Sequence, residues 1–301
     1  MPPPWAAEVV VDEALARRLL GQFRELEVYS LRMLATGWDR TVWLVNQMWV
    51  FGFPRRKIVV SGIERELAWL PHLAPLLPVA IPEPRFVGAP SAEFPWPFFG
   101  APFIPGAEPW EEPLSDTARL TVALELAGFL RRLHDEEVLG SAAELPVDGN
   151  ARADMTQRVP KTRVAIAQVA DLGLWKPSES VAVMLDEAEH LRSSGHLTVC
   201  HGDLHVRQLL VADGRLSGVI DWIDLCRSDP AIDLSLLWSF LAPGQRADFL
   251  EAYGDVDSDQ LLRARILALD LCAVLAAYGH TERHPRLVAE CVAGLERAAA
   301  D

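Results

Sequence analysis

The chain has no cysteine pair at C-x-x-C spacing, no excess of basic residues and no apolar run long enough to cross a bilayer. Its four cysteines, Cys200, Cys226, Cys272 and Cys291, are widely spaced. That spacing implies no disulfide scaffold and suits reduced thiols buried as small apolar side chains. A net charge of −14 argues against nucleic acid or an anionic membrane as partner, because both need clustered basic surface. It is compatible with a cationic ligand and equally with an ordinary solvated surface. The most apolar helical stretch, Ile266 to Tyr278, is interrupted by Asp270 and too short to span a membrane. The opening MPPPWAAEVVVDEA lacks the charged and then apolar pattern of a signal peptide, so a cytoplasmic location is expected. No internal repeat or low-complexity segment stands out.

What is present is enough apolar material for a large core, since 50% of the 301 residues are hydrophobic, and a length that suggests two domains. The most informative stretch is VCHGDLHVRQLLVADGRLSGVIDWIDLCRSDPAIDL. Asp203 lies in a polar His-Gly-Asp-Leu-His turn, and Asp221 ends the apolar run Leu216 to Ile220. Between them, Gln208 to Val211 reads as a short strand and Ala212 to Arg215 as the turn that reverses it. Such a hairpin brings Asp203, Gln208 and Asp221 to one end of a sheet. Phosphoryl transfer asks for this set: one carboxylate to orient an acceptor hydroxyl, and a second carboxylate with a side-chain amide to hold magnesium against the phosphates. Taken singly, each aspartate also reads as a turn or cap residue. His201 and His205 with Asp203 suggest a metal-dependent hydrolase, against which stands the lack of a further ligand nearby.

Upstream, Asp12 can cap a helix with Leu15, Leu19 and Phe23 on one face. Alternating runs at Val28 to Leu34, Thr41 to Asn46 and Met48 to Phe53 read as three strands. Thr36-Gly37-Trp38-Asp39 makes the first hairpin turn; with a single glycine it is a weak phosphate-binding signal. Ile63 to Leu73 is a helical pattern with Glu64 and Glu66 toward its start, where the macrodipole favours acidic side chains. The proline-rich stretch Leu77 to Pro113 reads as a connector, and beyond it the chain is mainly helical, including Thr117 to His134 and a region between residues 150 and 195. That last region holds no decisive motif, and its Trp175 suits packing as well as ligand stacking.

The pair HGDLHVRQ and IDW resembles the aminoglycoside phosphotransferase family of small-molecule kinases, which includes macrolide phosphotransferases. The resemblance runs from about Leu31 to Phe249. It implies an α+β, protein-kinase-like, two-lobed fold: residues 1–101 as an N-terminal nucleotide-binding lobe of antiparallel sheet plus helix, and residues 102–301 as a mainly helical catalytic and acceptor-binding lobe. It implies Asp203 as the catalytic base and Asp221 with Gln208 as magnesium ligands, Gln208 standing where the family usually has Asn. Asp229, Pro230 and Asp233 would brace the catalytic loop. PFFGAPFIPG resembles the hinge and would place the nucleotide base near Pro102 and Ile104, with Gly37 over the phosphates. Glu66 falls where a helix glutamate pairs with a basic residue on the third strand.

The chain departs from that pattern in two places. The third strand reads WVFGFPRR, so the usual phosphate-contacting Lys or Arg is replaced by Gly52, leaving Arg55, Arg56 or Lys57 to reach in from the strand end or to remain solvated. Gln208 adds a methylene to a ligand in a site that demands near-octahedral geometry. The resemblance thus implies transfer of the γ-phosphoryl group of ATP or GTP, with Mg2+, to a hydroxyl of a small molecule such as an aminoglycoside or macrolide, impaired to the extent that Gly52 and Gln208 matter. A Lys or Arg introduced at position 52 is expected to restore the missing contact. The alternative is a nucleotide-binding, catalytically silent kinase-like regulator.

Overall fold

The computed structural model describes residues 6–192 and 194–300; the first five residues of the opening stretch lie outside them. The chain divides into two compact units. The first comprises residues 1–76, 80–104 and 221–223, and the second comprises 77–79, 105–220 and 224–301.

The first unit begins with helix α1 (Glu13–Leu20), whose N-terminus is capped by Asp12 accepting from the Leu15 N–H at 2.8 Å. Five strands follow: β1 (Leu31–Thr36), β2 (Arg40–Val45) and β3 (Trp49–Pro54), then, after helix α2 (Val60–Leu73), β4 (Phe86–Gly88) and β5 (Phe98–Pro102). They form one antiparallel sheet in the order β1-β2-β3-β5-β4. One face is aromatic. Phe51 and Phe53 of β3 and Phe98 of β5 pack with Trp43, Phe94, Phe23 and the buried face of α1. Each such ring contributes about 1.5–3 kcal/mol by leaving water. Because strand side chains alternate, Gly52 lies on the opposite face from Phe51 and Phe53.

Three local differences from the sequence pattern have physical causes. The first strand starts at Leu31 rather than Val28, because the Tyr29 and Ser30 N–H groups donate to the Asn46 side-chain oxygen and are unavailable to a ladder. Asn46 itself leaves β2 by taking a left-handed backbone conformation, φ 55°. The proline-rich stretch is more than a connector, since it supplies β4 and β5 of the sheet.

The second unit is mainly helical: α3 (Asp116–Leu133), α4 (Glu136–Ser141), α5 (Met155–Asp171) and α6 (Glu179–Ala188) precede a small β region, and α7 (Ser235–Ser239), α8 (Arg246–Tyr253), α9 (Ser258–Thr281) and α10 (Pro285–Ala299) follow it. Helix α9 packs against α5, α7 and α10. Asp270, which breaks its apolar run, is matched by Arg158 at 3.1 Å and by the Thr162 hydroxyl at 3.0 Å, as a buried carboxylate requires. No helix among the described residues is long and apolar enough to cross a membrane.

The β region carries the motif residues. Strand β6 (Thr198–Cys200) pairs with β9 (Cys226–Ser228), and β7 (Leu209–Ala212) with β8 (Arg215–Val219), all antiparallel. The β7–β8 connection is the two-residue turn Asp213-Gly214, both at positive φ, as this class of hairpin demands. Gln208 falls just before β7, in a single helical turn over Val206–Gln208.

Candidate active site

The loop after β6 is held from below by one buried side chain. The two Asp233 oxygens accept from the His201 N–H at 2.7 Å and the Gly202 N–H at 3.0 Å. Asp233 also lies 3.3 Å from His134 Nε2, whose other ring nitrogen is 2.7 Å from the Tyr253 hydroxyl. Asp229 caps the next turn through the Ala231 N–H. The bracing role read from SDPAIDL therefore has a direct geometric basis. His134, Cys200 and Asp233 stand close enough together to share a metal, but the hydrogen bonds to both Asp233 oxygens and both His134 nitrogens make this a structural network.

Gly202 is fixed by two constraints. Its φ is 92°, and a Cβ there would sit well inside van der Waals contact with the Asp224 carbonyl oxygen. Gly202→Ala is expected to destabilise the folded protein by at least about 2 kcal/mol through backbone strain and this overlap. A lowered denaturation midpoint at unchanged slope would show it; wild-type stability would mean that the loop has a second conformation available.

Asp203 follows, with its side chain 35% exposed. Burial of the carboxyl raises its pKa, but His205, 3.6 Å away, together with Arg152 and His201, outweighs that and holds it below the ordinary aspartate value. Arg152 is anchored by Asp148 at 2.7 Å and Asp224 at 2.6 Å. His201 points elsewhere. Its Nδ1 accepts from the Asp203 N–H at 3.3 Å, so Nε2 is the protonated nitrogen and donates to the Ile220 carbonyl at 2.9 Å. With both ring nitrogens engaged by the backbone, His201 is not a free metal ligand, and the metal-hydrolase reading of His201, Asp203 and His205 is withdrawn.

Gln208 is buried, its side-chain amide nitrogen 3.4 Å from His205 Nε2, and its backbone carbonyl accepts from the Ile220 N–H at 2.9 Å. Asp221 is the next residue along the chain but clusters with the first unit. It adopts φ 64°, a left-handed conformation that Asp tolerates better than most residues. Its carboxylate accepts no hydrogen bond from the described residues. An uncommitted carboxylate and a side-chain amide are hard oxygen donors of the kind magnesium takes.

The segment around Asp221 is anchored to α2. The Trp222 N–H donates to Glu66 Oε1 at 3.1 Å, and Arg65 donates to the Ile223 carbonyl at 3.3 Å. Glu66 is fully buried, and its other oxygen accepts from Arg40 of β2. Burial pushes the Glu66 carboxyl up to about 7; Asp221 pushes the same way, while Arg40 and the Trp222 N–H pull it back. Arg40 is opposed by burial, but the charges of Glu66 and Asp221 prevail and raise its pKa.

Of the remaining motif residues, Gly37 sits at the β1–β2 turn, its N–H donating to the Arg40 carbonyl at 2.9 Å. Arg55 donates to the Gly37 carbonyl and Arg56 pairs with Asp39, so these two cations tie down that turn. Pro102 ends β5 opposite Trp49, and the Ile104 N–H enters no hydrogen bond among the described residues.

This loop and its two carboxylate-bearing segments lie inside the span, residues 30–267, that matches the profile of the family described as "Phosphotransferase enzyme family" (APH). The chain belongs to that family. Among solved structures, this phosphotransferase is similar to aminoglycoside 2′-phosphotransferase-IIIa in its GDP complex, at 24% identity and TM-score 0.68 over 95% of this chain and 97% of that one. It is similar also to macrolide 2′-phosphotransferase MphH from Brachybacterium faecium, at 23% identity and TM-score 0.60 over 92% and 96%. A third likeness is to the streptomycin-ATP-APH(2″)-IIa ternary complex, at 19% identity and TM-score 0.58 over 96% and 97%. These likenesses show the kinase-like fold that the motifs implied. No curated protein sequence matches the chain.

Two charged residues escaped the sequence reading. Arg152 lies in a region without a motif, and only Asp148 four residues earlier hints at it. The resemblance implies a basic partner for Glu66 on the third strand, whereas the partner, Arg40, comes from the second.

Proposed function

We infer that this phosphotransferase moves the γ-phosphoryl group of ATP or GTP to a hydroxyl group of a small molecule. The observation that carries the reading is Asp203: a partly exposed carboxylate on a glycine-containing loop, braced by Asp233 and held ionised by His205, Arg152 and His201. Asp203 accepts a hydrogen bond from the acceptor hydroxyl and aims its lone pair at the γ-phosphorus. A new O–P bond forms as the bond to the bridging β,γ-oxygen breaks, the nucleoside diphosphate leaves with that electron pair, and Asp203 takes the hydroxyl proton. Asp221 and Gln208 are the residues that would hold magnesium, which supplies charge neutralisation at the phosphates. The Pro102 carbonyl and Ile104 N–H would meet the edge of the nucleotide base, and Gly37 lies in the turn assigned to the phosphates.

The relatives of similar fold suggest the acceptor class, since their names specify aminoglycosides and a macrolide. An antibiotic acceptor would make the protein a resistance enzyme. The net charge of −14 accords with a cationic acceptor and with the absence of nucleic-acid or membrane partners. Four free, buried cysteines accord with a reducing, cytoplasmic setting.

The test is thermal stability with Mg-ATP and Mg-GTP, followed by a screen of aminoglycosides, macrolides and sugar-like alcohols for nucleotide-dependent phosphorylation. A ligand at a hundred times its Kd stabilises by about 2.7 kcal/mol, which is readily seen. Failure of both nucleotides to stabilise the protein, with no product from any acceptor, would overturn the reading; nucleotide binding without any transfer would favour the silent regulator.

A further inference from the structure

On the sheet face opposite the aromatic core, β2 and β3 run with Val42 paired to Gly52 and Arg40 paired to Pro54. Arg40 and Gly52 are therefore diagonal neighbours on one face, within reach of a long side chain. The Arg40 stem crosses over Gly52: a Cβ at position 52 would lie 3.2 Å from Arg40 Cδ and 3.6 Å from Nη1. That is tighter than ordinary packing, so a side chain at position 52 would displace the arginine from this path. The guanidinium then pairs with Glu66 and lies 5.5 Å from the centre of the Phe99 ring, the residue paired with Gly52 on β5. Its Nε is buried and has no hydrogen-bond partner among the described residues.

We propose that Arg40 is the phosphate-contacting cation of this enzyme, moved from the third strand to the second, and that Gly52 is the opening that admits it. The proposal rests on the nucleotide-dependent reading above. It assigns the apparent loss at position 52 a compensating gain twelve residues earlier. Arg40 carries what the role needs. Its charge is secured by Glu66 and Asp221, and its position is fixed through Glu66 to the Trp222 N–H, beside the candidate metal ligand. Its Nε–H is not engaged by Glu66, and a phosphate oxygen is the kind of acceptor that a buried guanidinium takes. The expectation that Lys or Arg at position 52 would restore a contact is accordingly corrected, because the space is already filled by a cation.

Calorimetry on four proteins tests this: wild type, Arg40→Met, Gly52→Lys, and the double variant Arg40→Ala with Gly52→Lys. The ligands are Mg-ATP, Mg-GTP and the corresponding nucleosides. Arg40→Met should weaken binding of the preferred nucleotide about ten-fold to a hundred-fold and leave the nucleoside within about two-fold, the signature of a phosphate contact rather than a structural one. Gly52→Lys alone should bring no gain, while the double variant, with the stem cleared and a cation returned to β3, should recover most of the loss. Arg40→Lys, which keeps the charge against Glu66, is the second variant should Arg40→Met fold poorly, and it should bind nucleotide better than Arg40→Met or within about ten-fold of wild type. Wild-type binding that is unchanged in Arg40→Met, or that falls equally for nucleoside and nucleotide, would overturn the assignment of Arg40 alone. Wild type that binds no nucleotide would overturn the functional reading and this assignment with it.

Discussion

Asp203→Asn is expected to lower turnover by about two orders of magnitude or more while folding and nucleotide binding persist, the scale typical of losing a general base. The substitution is nearly isosteric, and the loop geometry depends on Asp233, Gly202 and backbone N–H groups rather than on the Asp203 carboxylate. What changes is polarity. An amide can present an N–H where the acceptor hydroxyl needs a hydrogen-bond acceptor, and it takes no proton. Because His205, Arg152 and His201 together outweigh burial and hold the Asp203 carboxyl below its ordinary value, the group is ionised throughout the neutral range. The sign is therefore clear: protonation of Asp203 removes activity only as pH falls through a value below the usual ~3.9 of aspartate. Such a low value makes Asp203 a weak proton acceptor and favours its orienting role, which suits a loose transition state in which proton loss comes late. Removing the Arg152 charge by Arg152→Met should shift any acidic limb of kcat upward. A folded Asp203→Asn protein with near wild-type turnover would take Asp203 out of the mechanism.

The order and distance of HGDLH and IDW were legible because each motif is local: a turn, a hairpin and a following turn, all specified within about thirty residues. The helix under Glu66 and the strand pattern from Thr41 to Phe53 were legible for the same reason, since periodicity shows which residues share a face. The partnership of Arg40 with Glu66 was not, although its ingredients were visible. Finding it requires the register of the β2–β3 hairpin, and one residue of slippage would have turned Arg40 to the aromatic face. Arg152 was illegible for a different reason. It acts on Asp203 across some fifty residues of intervening chain, through an ion-pair arrangement with Asp148 and Asp224 that no local pattern announces. The first strand starts three residues later than its alternating pattern because a single side chain, Asn46, competes for the Tyr29 and Ser30 N–H groups.

Asp221→Asn should abolish most of the magnesium dependence of nucleotide binding, and the comparison with Asp221→Ala separates charge from backbone. At φ 64°, asparagine is tolerated about as well as aspartate, so the Asn variant removes a negative charge without new strain, whereas alanine adds strain to the same loss. With magnesium present, a hard cation loses an anionic oxygen ligand, and nucleotide affinity should fall on the order of ten-fold or more. Without magnesium the sign reverses: the Asp221 charge repels phosphate oxygens, so its removal should leave metal-free binding unchanged or stronger. The Asn variant also takes away one of the charges that pushes the Glu66 carboxyl up toward 7, which keeps Glu66 ionised against Arg40 and preserves the clamp on that arginine. The ratio of affinities with and without metal should therefore collapse toward one from both sides. Asp203→Asn, which leaves these groups untouched, should retain the wild-type ratio. Titration calorimetry of nucleotide into each variant, with and without magnesium, measures the ratio directly; an unaltered ratio in folded Asp221→Asn would show that Asp221 does not hold the metal.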